Sequence, residues 1–160
     1  MKKKTIKTMI EVYANAKELP KADQQLMKKA RKALKDSYSP YSHFKVGAAV
    51  LLENGKVVVG SNQENAAYSV CICAERTALS NASSRYPKVP VVAIAVTAEA
   101  QEKKTDEPVS PCGTCRQYIS EVENRYKQPI KIIMQGVEGP VYVVPSIKSL
   151  LPLSFDGSLL

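Results

Sequence analysis

The chain has 160 residues, of which 44% are hydrophobic and 24% charged, with a formal net charge of +8. Those figures describe roughly one globular domain that can bury its own core without staples, and they exclude a low-hydropathy disordered chain. No run approaches the ~20 apolar residues that span a bilayer, and Met1 to Ile10 has lysines but neither the apolar stretch of a secretory signal nor the arginines of a mitochondrial presequence.

The positive charge is concentrated at one end. Residues 1–36 hold 11 of the 23 basic residues and 4 of the 15 acidic ones, a net of +7, whereas residues 37–160 carry a net of only +1. A groove built for phosphates carries its own lysines and arginines. The near-neutral body therefore argues against a nucleic-acid partner, and the lysines read as a solvated extension plus one helix face.

Residues 1–19 show no firm pattern and read as a lysine-rich, frayed extension ahead of a single domain over residues 20–160. From Lys21 to Tyr38, Leu26, Met27, Ala30, Ala33 and Leu34 recur at helical spacing, until Ser39-Pro40 breaks the run. Phe44 to Leu52 reads as a strand, Asn54-Gly55 as a tight hairpin turn, and Val57 to Gly60 as the returning strand. Ala74 to Ser84 has helix-forming composition. Val89 to Thr97 is a β-branched, apolar run of the kind buried on both faces of a sheet. A charged loop over Glu99 to Glu107 leads to a helix over Cys112 to Tyr126. Strands are expected over Ile130 to Gln135 and Val141 to Val144, a short helix over Pro145 to Leu151, and a tail over Pro152 to Leu160. The order predicts an α/β sandwich, with both strand–helix–strand passages crossing right-handed and pairing parallel.

The chemistry lies in Cys71-Ile72-Cys73-Ala74-Glu75-Arg76 and Ser110-Pro111-Cys112-Gly113-Thr114-Cys115-Arg116. Cys112 and Cys115 are one helical turn apart, so their sulfurs can point the same way. Pro111 suits a helix start, where the helix dipole favours a thiolate. A helix beginning near Cys73 would present a third thiolate in the same manner. Cytosol is the default compartment for such a chain, so the four cysteines read as metal ligands or free thiols rather than disulfides.

Zinc is the natural metal for soft sulfur ligands. A closed four-cysteine structural site is one possibility. Paired C-x₂-C knuckles some 15–20 residues apart are the usual structural pattern. Here the first pair is C-x-C, and 38 residues separate Cys73 from Cys112. Three ligands with an open position for water describe a catalytic site. Glu75 would lie on the first turn after Cys73, within reach of that position, where a carboxylate can take and pass on a proton. Taken alone, it reads equally well as an acid favoured by the helix dipole.

C-A-E followed by P-C-x-x-C resembles the signature of the zinc nucleoside and nucleobase deaminases, with Cys73 standing where many members have histidine. The resemblance extends to Tyr38-Ser39-Pro40-Tyr41-Ser42-His43-Phe44-Lys45-Val46-Gly47-Ala48-Ala49, to Asn62-Gln63-Glu64-Asn65-Ala66-Ala67-Tyr68, and to Leu150-Leu151-Pro152 with Phe155. Over roughly residues 22–157 the chain is similar to the small homotetrameric cytidine deaminases. The resemblance implies a three-layer α/β/α sandwich around a mixed five-stranded sheet, and a hydrolase of pyrimidine salvage that converts cytidine and deoxycytidine to uridine and deoxyuridine.

It also implies zinc on Cys73, Cys112 and Cys115. Glu75 would be the proton shuttle and Arg76 a donor to the thiolates. Asn62 and Glu64 would hold the sugar, Phe44 would pack against the base, Ala74 would be a further substrate-binding residue, and Tyr68 and Phe155 would reach a neighbouring subunit's site. His43 reads as an ordinary loop residue and Cys71 as a thiol that does not bind metal. A relative acting on another small cytosine-type substrate, a single-stranded nucleic-acid cytosine deaminase, and a zinc-stapled interaction module remain the competing readings.

Overall fold

In the computed structural model the described residues are 1–159; Leu160, the last residue of the expected tail, lies outside them. The elements are β1 (Glu11–Tyr13), α1 (Lys21–Ala33), β2 (Phe44–Leu52), β3 (Val57–Ser61), α2 (Ala74–Arg85), β4 (Val91–Ala100), α3 (Gly113–Tyr126), β5 (Lys131–Gln135) and β6 (Val141–Val144). They form one mixed sheet in the order β1-β6-β5-β4-β2-β3.

Helix α1 buries Leu26, Met27, Ala30 and Ala33 and leaves its lysines in water. Its apolar stripe packs on one sheet face, against Ala49, Ala93, Ala95, Ile133 and Val143. Asp23, buried in its first turn, accepts two hydrogen bonds from Lys131 of β5, at 2.6 and 2.7 Å, and so fixes the helix to the sheet. Helices α2 and α3 cover the opposite face, where Leu79 and Ile119 join Val50, Ile94, Ile132 and Met134. The expected three layers are therefore present.

Gly47 and Gly60 permit this close stacking. A Cβ on Gly47 would stand 2.2 Å from the Ala30 carbonyl oxygen of α1, and one on Gly60 would stand 2.4 Å from the Ala78 nitrogen of α2. Both distances lie well inside van der Waals contact, so β2 and β3 need glycine where the helices cross them.

Several expectations are corrected. The sheet has six strands, not five, because Glu11–Tyr13 of the extension pairs antiparallel with β6. Lone side chains in a three-residue strand give no periodicity to read; the pairing is supplied by the open edge of β6, and Leu19 beyond it is buried. Only the second strand–helix–strand passage pairs parallel, β4 with β5. In the first, β2 lies between β3 and β4 and is antiparallel to both. The tight turn at Gly55, with φ of +79°, holds β3 on one edge of β2 and leaves the other for β4. Lastly, Pro145–Leu151 is not a helix of regular length but a single 3₁₀ turn over Ile147–Ser149, capped by the Ser146 side chain.

Helix α1 also stops at Ala33, before the expected Tyr38, and continues as a 3₁₀ turn over Leu34–Asp36. The Ser61 hydroxyl donates to the Asp36 carbonyl at 2.8 Å, a tertiary tie that a periodicity argument does not see.

Candidate active site

Helices α2 and α3 begin side by side, and their N-caps are Cys73 and Cys112. Both cap residues are extended, and neither uses its side chain to cap its helix. The sulfurs are therefore free to point past the helix ends, where the exposed N–H groups favour negative charge. Cys115, in the first turn of α3, completes the group. The three sulfurs lie within 4.8 Å of one another, and among the described residues they form the one cluster of three metal-ligand side chains.

Sulfurs around a tetrahedral zinc at ~2.3 Å would stand about 3.8 Å apart, and Cys73 and Cys112 are separated by 3.9 Å. Cys71 is not part of the group: its sulfur accepts a hydrogen bond from the Asn65 N–H at 3.3 Å. Three converging thiols with a fourth held away fit zinc with one open position.

The electrostatics agree with that fit. The Cys73 thiol is lowered to about 5, first by its hydrogen bond from Cys115 and then, against the cost of burial, by Cys112 and the Arg76 guanidinium. Cys115 is pushed up by the same bond to Cys73, by burial and by the charge of Glu75. Burial works against the charge on Arg76, but its contact with Cys73 more than offsets that. Arg76 donates to the Cys71 carbonyl at 2.9 Å, while its buried Nε–H has no hydrogen-bond partner among the described residues. An orphaned cationic donor beside thiols suits sulfurs that carry the full negative charge zinc binding requires.

Glu75 is 4% exposed, on the first turn of α2 and within hydrogen-bond reach of Cys115. Burial, with the Cys73 charge adding to it, raises its carboxyl above the usual range. Ala74, between Cys73 and Glu75, is fully buried.

The polar segment after β3 is tied to the ligand loop by backbone. Gln63 exchanges two hydrogen bonds with Ile72, at 2.9 and 3.0 Å, just before Cys73, while Tyr38 donates to Asn62 and accepts from Glu64. On either side of Gln63 stand Asn62 and Glu64. The Asn62 Oδ1 accepts from the Ser37 hydroxyl at 2.6 Å and the Val46 N–H at 2.7 Å, and its Nδ2 donates to the Phe44 carbonyl at 2.9 Å. Asn62 therefore clamps the start of β2, including Phe44, and retains one free N–H. Glu64 accepts from the Tyr41 and Ser42 N–H groups at 2.9 and 3.3 Å and from the Ser42 hydroxyl. Slight burial opposes its charge, but these hydrogen bonds hold its carboxyl below the usual range. Tyr41, Ser42, Glu64, Tyr68 and Cys71 line a cleft of about 350 Å³.

Of the residues singled out by sequence, the chain itself gathers Cys73, Cys112, Cys115, Glu75 and Arg76. Tyr68 stacks edge-on against Tyr41, with centroids 5.8 Å apart, and is 72% exposed; Phe155 is 63% exposed. Sequence reasoning missed Ser37, Ser42 and Arg116 as supporting residues. Ser42 and Arg116 lie inside the recognised motifs, but their partners are distant in sequence.

The family model described as the cytidine and deoxycytidylate deaminase zinc-binding region matches residues 20–128. A cytidine deaminase of Halalkalibacterium halodurans is 42% identical over 84% of this chain and 94% of its own. One of Sporosarcina psychrophila is 39% identical over 83% and 90%. Among solved structures, the cytidine deaminase of Burkholderia pseudomallei superposes with a TM-score of 0.72 at 41% identity, covering 82% of this chain and 97% of that one. With three thiols at two helix starts, a buried glutamate beside them and these matches across the domain, the chain belongs to the zinc-dependent cytidine and deoxycytidylate deaminase family.

Proposed function

We propose that this protein hydrolyses cytidine and deoxycytidine to uridine and deoxyuridine with release of ammonia, as an enzyme of pyrimidine salvage. The observation that carries this reading is the convergence of the Cys73, Cys112 and Cys115 sulfurs beside the buried carboxylate of Glu75. Zinc held by the three sulfurs would supply Lewis-acid activation of water at the fourth position.

Glu75 is the proton carrier. It takes one proton from the attacking water and delivers it to the pyrimidine ring nitrogen, then takes the remaining hydroxyl proton at C4 and gives it to the departing amine, so that the C4–N bond breaks as the carbonyl forms and both protons come from the one water. Its burial among helix starts keeps bulk water from competing for those protons. Arg76 draws charge from the thiolates and limits the loss of electrophilicity that three anionic sulfurs impose.

Asn62 and Glu64 hold the sugar. Asn62 has one N–H left to give to a hydroxyl, and the carboxylate of Glu64 retains room to accept one. A free base has no sugar for this pair to hold, and the relatives named above are cytidine deaminases. Phe44 and Ala74 pack against the base. The pairing of Glu64 with Ser42 and Tyr41 fixes the loop that faces the nucleoside.

We place Tyr68 and Phe155 at a neighbouring subunit's site in a homotetramer. In the single chain Tyr68, Val70, Tyr41 and Phe155 leave apolar surface in water, and covering it would close the cleft. Four free cysteines suit a reducing compartment, which supports the cytoplasm. Among the described residues no helix is long and apolar enough to cross a membrane.

The deciding test is an absorbance assay of the zinc-loaded protein on cytidine and deoxycytidine, run beside a deamination readout on single-stranded oligonucleotides. Turnover of the nucleosides with inert oligonucleotides is expected. Turnover confined to oligonucleotides, or none on any substrate from a zinc-loaded protein, would refute the reading.

A further inference from the structure

Arg116 directly follows Cys115, and all three of its guanidinium nitrogens are engaged. Its Nε donates to the Pro111 carbonyl at 2.8 Å, one Nη to the Leu150 carbonyl at 2.8 Å, and the other to the Ser110 hydroxyl at 3.0 Å. Two of these acceptors belong to the residues immediately before Cys112. The third belongs to the segment that leads into the C-terminal tail. The next residue, Gln117, donates to the Phe155 carbonyl at 3.0 Å.

The far end of α3 grips the same segment. Glu123, 5% exposed, accepts from the Ile147 N–H at 3.0 Å and the Ser146 hydroxyl at 2.8 Å. Residues 146–150 are thus held at their start by Glu123 and at their end by Arg116. Ile147 between them is fully buried in the core beneath α3.

We propose that Arg116 is a positioning residue that locks the Cys112 ligand loop to the Leu150 carbonyl, so that zinc retention and the placement of the C-terminal tail are coupled. The inference rests on the three-cysteine zinc site. The physical reason is the planar fork of the guanidinium, whose donors point in fixed directions. It sets the peptide ahead of Cys112 relative to the helical turn that carries Cys115, and it sets both relative to the tail. Cys112 is the exposed member of the three thiols, the one the rest of the fold restrains least. An ammonium on a flexible stem cannot serve three acceptors in that plane, so lysine does not replace arginine here.

The test uses the full-length, zinc-loaded protein and two readouts besides turnover. One is the rate at which zinc passes to a chromogenic chelator, and the other is amide hydrogen exchange over residues 150–155. Partners that orient metal ligands typically account for about 10–100-fold in metal affinity. Arg116→Gln is expected to speed zinc transfer by about that factor and to speed exchange in the tail as well. Arg116→Lys should behave like Arg116→Gln rather than like the native chain. Gln117→Ala removes only the bond to Phe155; it should speed exchange in the tail and leave zinc transfer unchanged. A folded Arg116→Gln protein that releases zinc no faster than the native chain overturns the proposal. So does Gln117→Ala releasing zinc as fast as Arg116→Gln, because the effect would then be general loosening. If Arg116→Gln does not fold, Ser110→Ala carries the test: several-fold faster zinc transfer supports the proposal and an unchanged rate rejects it. A native chain that holds no zinc would instead fail the metal-site reading itself.

Discussion

The sulfurs of Cys73 and Cys112 stand 3.9 Å apart, although 38 residues lie between them in the chain. Two helices packed on the same sheet face make that contact, each beginning at a cysteine whose side chain does not cap it. If the site has three ligands, Cys73→Ala, Cys112→Ala and Cys115→Ala should each lose zinc and activity together. Cys71→Ala should keep one zinc per chain, because its sulfur is turned to Asn65. Metal analysis of the four purified variants decides the matter, and zinc loss in Cys71→Ala would point to a closed four-cysteine site.

Glu75→Gln keeps the size of the side chain and removes its ability to carry a proton. Turnover should fall by about 10²–10⁴, the usual loss for general acid–base function. Zinc content and thermal midpoint should stay close to native, since neither depends on the charge being mobile. Steady-state kinetics alongside metal analysis make the comparison. Near-native turnover would take Glu75 out of the chemistry.

Glu64 should order the Tyr41–Ser42 loop in a pH-dependent way. Its hydrogen bonds hold the folded carboxyl below the ordinary glutamate value of ~4.3. The sign follows: the interaction is fully present at neutral pH, above the unfolded value, and is lost as pH falls through the lower folded value. Amide exchange of Tyr41 and Ser42, corrected for intrinsic rates, should be slow at neutral pH and accelerate in strong acid. In Glu64→Ala it should be fast at both. Equal protection in Glu64→Ala and the native chain at neutral pH would show that another group orders the loop.

Deleting Met1 to Glu18 removes β1 and uncovers the edge of β6. Tyr13, which packs on the α1-side core, goes with it. A loss of about 2 kcal/mol, or roughly 4–8 °C in midpoint for a chain of this size, is expected. Zinc content and nucleoside kinetics should be unchanged, because the deleted strand lies at the opposite end of the sheet from β2 and β3. Scanning calorimetry with parallel kinetics tests both halves, and an unchanged midpoint would mean that β1 contributes nothing to stability.

Activity should require assembly if Tyr68 and Phe155 complete a neighbour's site. Light scattering should then give a tetramer, and specific activity should fall when dilution dissociates it. Removing the tail from Ser154 onward should weaken nucleoside binding while zinc stays bound. A fully active monomer would return both aromatics to the surface of a self-sufficient chain.

Much of the frame was legible in one dimension. The stripe of Leu26, Met27 and Ala30, the Asn54-Gly55 turn and the apolar run of β4 each predict their element from local physics. They do so because periodicity and turn chemistry act over a few residues. The three-thiol group was legible because its spacing is itself chemistry: Cys112 and Cys115 stand one helical turn apart, and C-A-E sets a carboxylate on the turn after a thiol. Strand order was not legible. The placing of β2 between β3 and β4, and of β1 on β6, depends on which edges remain open once the sheet forms.

The sequence by itself determined the chemistry of a three-thiol group with a carboxylate on the turn beside it, and an α/β chain to carry it. Tertiary structure alone decided what supports that chemistry. Asn62 clamps Phe44 and Val46, Ser42 and Tyr41 engage Glu64, and Arg116 joins the Cys112 loop to Leu150. These bonds link residues up to 34 positions apart, often through backbone carbonyls that every residue possesses. A carbonyl has no side-chain identity, so nothing in the sequence marks Leu150 as a partner. Only the packing of the 3₁₀ turn against α3 brings its oxygen to the guanidinium.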